Sequence, residues 1–147
     1  MTMSLGQRRG PCRPRHETCS CGAMMRDFLN RHFWLIAAGT GCVLIAILSL
    51  VPGYLRPHTG APGSFEHFAA YLMVAGAFAM GLRSERSVLV MAAVLMLAAG
   101  LFEIAQIDIP GRNPGLTGFV SSSLGAWAGV ALAAVYQMVA GRKTARG

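Results

Sequence analysis

Apolar residues run along this chain in four long blocks, 33–52, 65–82, 88–105 and 116–140, separated by short polar stretches. A hydrocarbon core about 30 Å thick takes roughly 20 helical residues to cross. The first and fourth blocks meet that length without a charged residue. The second and third have shorter uncharged cores. They reach full span only by including polar residues at their ends, Glu66 and His67 in one and Glu103 in the other. The pattern predicts an all-α, polytopic membrane protein: a four-transmembrane-helix bundle over 26–141, a short tail over 142–147, and a long tail over 1–25.

Two competing readings of the blocks are weaker. A soluble bundle would need each helix to offer water a polar face, and the fourth block has none. A cleaved signal peptide would explain the first block, which follows Arg26 and Arg31. Its apolar run is longer than such a segment carries, however, and the chain continues Val51-Pro52-Gly53-Tyr54 with no small-residue cleavage site.

Composition agrees: 54% of residues are hydrophobic, 13% are charged, and the mean hydropathy is +0.49. Charge then predicts orientation. Arg8, Arg9, Arg13, Arg15, Arg26 and Arg31 precede the first block, Arg83 and Arg86 follow the second, and Arg142, Lys143 and Arg146 follow the fourth. The other two connections hold only Arg56 and Arg112. The positive-inside tendency therefore places both termini in the cytoplasm. The net charge of +7 is explained by basic tails beside anionic lipid, so the lipid bilayer is the expected partner and no nucleic acid is needed.

The tail over 1–25 is basic and rich in Gly, Pro and Cys, without apolar periodicity, and is expected to be disordered. Translation from Met24 or Met25 is an alternative that would leave 1–23 unmade. Cys12, His16, Cys19 and Cys21 carry zinc-ligating side chains, but their spacing matches no common zinc module. No metal or cofactor is expected, and Cys42, in mid-block, is expected to pack as a small hydrophobe.

In the fourth block Ser121, Gly125, Gly129 and Ala133 recur every four residues, a smooth strip that suits close helix contact. Packing within the chain is the plainer reading. A homo-oligomer seam through the Ser121, Gly125 and Gly129 face is the other.

Candidate chemistry collects at one end of the predicted bundle. His67 and Tyr71 are four apart and share a helix face, with Glu66 beside them. Glu103 and Gln106 are three apart at the end of the third block, and the turn formers Pro110-Gly111 return Arg112 toward the bundle. A carboxylate within hydrocarbon costs about 2.5 kcal/mol or more, so Glu103 is expected to have a partner, Arg112 or His67 first. His67 and Glu103 are the candidate catalytic residues, an imidazole and a carboxylate suited to acid–base work. Glu66, Tyr71, Gln106 and Arg112 are the candidate binding residues, with Arg112 as an anion clamp. Each has a structural reading: Glu66 as an interfacial residue, His67 and Tyr71 as packed core, and Arg112 as a counter-ion. A metal site from Glu66, His67 and Glu103 would lack a further firm ligand. No nucleophile elbow or phosphate loop is present, so whether the chain is an enzyme stays open.

Ser49-Leu50-Val51-Pro52 closes the first block and His67-Phe68-Ala69-Ala70-Tyr71 opens the second. Glu103 and Gln106 end the third, followed by Pro110-Gly111-Arg112 and then Gly125 and Gly129. In that order, over about residues 33–140, the chain resembles the VanZ-like family of small bacterial integral membrane proteins. The resemblance implies a multi-pass protein of the bacterial cytoplasmic membrane with a role at the cell envelope, and a link to the glycopeptide antibiotic response. It implies no defined reaction. The chain departs from the family at Gly63-Ser64, where an Asp-Lys pair is usual, and at Gly118 and Ser122, where the family tends to carry Asp and Asn.

The function expected is that of an envelope protein whose outer polar cluster binds a ligand or partner. The alternative is a small enzyme acting on a lipid-linked or phosphate-bearing substrate through His67 and Glu103. A transporter would call for charges in mid-membrane and broken helices, which the blocks lack.

Overall fold

Proline and glycine set the element boundaries. In the computed structural model, which describes residues 17–55, 60–112 and 114–144, the chain forms α1 (Glu17–Leu50), α2 (Gly63–Gly81), α3 (Glu85–Ala105) and α4 (Leu116–Thr144). Short 3-10 turns cover Gly53–Leu55 and Gln106–Asp108, and no strand occurs among the described residues. α1 stops short of Pro52, because the residue before a proline is pushed out of helical geometry. α2 starts just after Pro62, whose carbonyl accepts the N–H groups of Phe65 (2.9 Å) and Glu66 (3.3 Å). α3 unwinds through the 3-10 turn into Pro110-Gly111, where Gly111 takes a φ of +76° that a side chain would resist.

α1 begins earlier than the sequence pattern suggests. Residues 17–25, expected to belong to a disordered tail, are helical. Extending an existing helix needs no nucleation, and Ala23, Met24 and Met25 are good helix formers. The remainder of the tail, with Cys12 and His16, lies outside the described residues.

Among the described residues, three segments are long and apolar enough to cross a membrane: Met24–Leu50, Glu85–Asp108 and Leu116–Gly141. Little of that apolar surface turns inward, only 11% of the first segment and 17% of the second. Leu97, Ile104, Leu132 and Val135 are among the large side chains left exposed. An exterior so continuously apolar would be unsustainable in water and is ordinary against lipid, which marks the chain as a membrane protein. α2 is not among the three segments, because Glu66 and His67 in its first turns lower the hydropathy of a stretch long enough to span.

What α2 does instead is hold the centre. It packs most extensively on α4 and next on α1, while α3 leans on α4. It contributes Tyr71, Val74 and Ala75 to a core completed by Leu95 and Ala99 from α3 and Ala126 from α4. The α2–α4 seam is nearly backbone to backbone. A Cβ on Gly125 would run into the Phe68 carbonyl, and one on Gly129 would meet the Leu72 carbonyl and lie 2.9 Å from Gly76 N. Gly125 and Gly129 of the small-residue strip are thus seated on α2 of the same chain.

The C-terminal end of α2 lies at the basic end of the bundle. Arg31 donates from Nε to the Gly81 carbonyl (3.1 Å), and Gln137 donates from Nε2 to the Ala79 carbonyl (3.0 Å). Both satisfy carbonyls that a helix terminus leaves without partners. Arg83 also pairs with Asp27 there at 3.3 Å.

Candidate functional site

The opposite end is built by two loops that meet. Gly53 N–H donates to the Pro110 carbonyl at 3.1 Å, and a Cβ on Gly53 would collide with the Gly111 backbone. This contact sets Arg112 over the end of α1. Its Nε (3.2 Å) and Nη2 (3.0 Å) donate to the Val51 carbonyl, and Nη2 also reaches the Leu48 carbonyl. A cation at a helix C-terminus meets both unsatisfied carbonyls and the negative end of the helix dipole.

Glu103 makes the complementary arrangement at α4. Its carboxylate accepts the backbone N–H of Gly115 at 2.8 Å, at the residue immediately preceding that helix. It lies over Gly118, where an added Cβ would fall on the carboxylate itself. A bare residue at 118 therefore makes the room that Glu103 occupies. Glu66 stands in the first turn of α2, again a carboxylate at a positive helix end. The expected partners of Glu103 were Arg112 and His67. The hydrogen bond it makes to Gly115 supplies a reason for a carboxylate here that packing alone does not.

The residues proposed from the sequence fall into two adjoining cavities. A polar one of about 240 Å³ is lined by His67, Glu103, Gln106 and Arg112, together with Ser64, Thr117 and glycines 53, 63, 111 and 118. A second, mostly apolar one of about 500 Å³ is lined by Glu66, His67, Tyr71 and Arg112 among others. His67 and Arg112 belong to both. The structure thus gathers His67, Glu103, Gln106 and Arg112 around one space and sets Glu66 and Tyr71 on the next. Asp108 is exposed and lines neither.

Two serines complete the picture. Ser122, 1% exposed, places its Oγ 3.5 Å from His67 Nδ1, at the outer limit of a hydrogen bond. Ser49, a buried polar residue in the last turn of α1, lines the second cavity. The sequence pattern sets Ser121 in a small-residue strip and gives no sign that Ser122 meets His67. The available signal for Ser49 was a hydroxyl in the last turn of an apolar block.

Trp34 Nε1, Gln106 Nε2 and Ser123 Oγ are buried without a hydrogen-bond partner among the described residues, and of the three Gln106 belongs to the lining of the polar cavity. Gln106 is 3% exposed. A buried amide N–H without an acceptor costs about 1–3 kcal/mol, so such groups call for a partner. No group of three His, Cys, Asp or Glu side chains suited to a metal ion occurs among the described residues. Cys19 and Cys21 lie on α1, but their side chains are outside the described set.

Fold and site together define a helical membrane protein with a polar cavity at one end of its bundle. No protein-family model, curated protein or solved structure matches the chain.

Proposed function

We propose that this chain is a four-span protein of the bacterial cytoplasmic membrane, with both termini in the cytoplasm, whose outward polar cavity binds a ligand or partner of the cell envelope. The observation that carries the binding role is Gln106, a residue of the cavity lining whose buried amide nitrogen has no acceptor among the described residues. Its neighbours His67, Glu103 and Arg112 add an imidazole, a carboxylate and a guanidinium within the same space. Support for α2 as the fourth span is its length. Its 19 residues cover ~28 Å at ~1.5 Å each, close to the ~30 Å core when its polar first turns are included. Support for the orientation is the placement of Arg31 and Arg83 at one end of the bundle, with Arg112 at the other. The resemblance to VanZ-like proteins adds the envelope setting and directs attention to glycopeptide response.

Reporter fusions after Gly60, Ser84 and Gly111 test the topology, with extracytoplasmic, cytoplasmic and extracytoplasmic signals expected in that order. A different order removes the four-span reading. For the site, the parent chain and Gln106→Leu are purified in native lipid and the co-purifying molecules identified. A species carried by the parent and lost from the variant supports the cavity, and identical complements reject it.

A catalytic role for His67 and Glu103 as an acid–base pair has its support in their sharing one cavity. Set against it is the engagement of the Glu103 carboxylate with the α4 terminus. In a strain with an envelope phenotype, His67→Ala and Glu103→Gln should both abolish function at normal membrane levels if the pair is catalytic. Parent-like behaviour of both ends that reading.

A further inference from the structure

The polar cavity does not end at His67 and Arg112. Those two residues also line the second cavity, and Ile45, Leu48, Ala70 and Met73 carry the second into a third. The third is an apolar groove of about 1040 Å³ lying over α2, walled by α1 through Trp34 and Leu44 and by α4 through Leu132 and Tyr136. Along α2 the path runs from His67 to Met80, ~20 Å at ~1.5 Å per residue. That exceeds the ~15 Å half-thickness of a bilayer core, the depth one hydrocarbon chain of a leaflet reaches. Three cavities with shared walls thus lead from a polar space lined by Gln106 and Arg112 to a greasy slot as long as a lipid tail.

The geometry points to a phosphate-bearing membrane lipid as the occupant, its phosphodiester in the polar cavity and one hydrocarbon chain in the groove. This rests on the cavity being a binding site and names the class of molecule it takes. A phosphodiester supplies what the cavity asks for: acceptor oxygens for Gln106 Nε2 and a negative charge beside Arg112. Two carboxylates face the path, Glu103 in the polar cavity and Glu66 in the second. The first is turned to Gly115 N–H at the α4 terminus and the second stands in the first turn of α2, so a helix N-terminus tempers the repulsion of an anion by each. The groove supplies shape but little selectivity, because hydrocarbon gains nothing by leaving other hydrocarbon. Selection must come from the head, and access from the open groove.

The test is native mass spectrometry of the full chain released from detergent, with three probes offered separately. These are phosphatidylglycerol, diacylglycerol with the same acyl chains, and glycerol 3-phosphate. Retention of phosphatidylglycerol well above both other probes is expected. Gln106→Leu and the near-isosteric Gln106→Glu should each retain it about tenfold less, the loss of one hydrogen bond to a charged group. Ala37→Phe, on an exposed position of the groove wall, should also weaken retention while leaving Gln106 untouched. Equal retention of diacylglycerol overturns the proposal, since the head would then not matter. Equal binding of glycerol 3-phosphate overturns it too, while leaving a phosphate-binding cavity in place. Parent-like retention by both Gln106 variants overturns the lipid proposal and the polar site together.

Discussion

Replacing Gly129 by alanine adds one methyl group where the backbones of α2 and α4 nearly touch. The new carbon would meet the Leu72 carbonyl and lie 2.9 Å from Gly76 N, and both obstacles are backbone. No side chain can swing aside, so the helices must part by ~1 Å along the molecule's most extensive interface. Overpacking of this kind costs about 1–3 kcal/mol. Alanine is the better helix former by up to ~1 kcal/mol, an opposing gain that shrinks in a membrane because the unfolded reference stays largely helical. The net expectation is a loss of about 1–2 kcal/mol. Gly39→Ala on α1 is the control, since nothing lies within 4 Å of the added carbon. It should be neutral or slightly stabilising. Both variants are followed by circular dichroism during unfolding in mixed micelles, at fixed detergent composition. If Gly129→Ala unfolds with the parent, or if Gly39→Ala falls as far, close backbone approach is not what holds α2 to α4.

Glu103→Ala should lower stability by about 1–2 kcal/mol, discounted for the exposed position of the Gly115 bond. Glu103→Gln keeps an acceptor and should lose less than half as much; unchanged unfolding midpoints for both would remove Glu103 from the α4 terminus. Arg112→Ala strips the Val51 and Leu48 carbonyls of their donor and should cost about 1–3 kcal/mol, with Arg112→Lys recovering only part because an ammonium lacks the fork. A lysine variant as stable as the parent would argue for charge alone. Asp27→Asn, at a pair with side chains 60–72% exposed, should cost under about 1 kcal/mol and nothing at high salt. A larger, salt-insensitive loss would contradict that surface assignment.

The helices were legible because apolar blocks and the prolines between them carry one-dimensional information. Pro52 and Pro62 bracket the first connection, and Pro110-Gly111 turns the chain after α3. The start of α1 was not legible, since a helix already nucleated in the membrane extends back to Glu17 without any apolar period to announce it. Co-location of His67, Glu103, Gln106 and Arg112 followed from antiparallel helix ends meeting at one level. The bonds of Glu103 and Arg112 to Gly115, Val51 and Leu48 did not, because each runs from side chain to backbone at the terminus of another helix. Glu103 reaches the start of α4 and Arg112 the end of α1, relations fixed only once Gly53 and Gly111 have brought two loops together. That outcome changes which residue demands a functional explanation. A carboxylate at a helix N-terminus and a guanidinium at a helix C-terminus stabilise the fold whether or not anything binds. Gln106 has no such account: it is buried, its amide nitrogen is unmet by any described residue, and it costs stability until an acceptor, water included, reaches it. The case for a binding site therefore moves from the charged pair the sequence favours to the neutral amide between them.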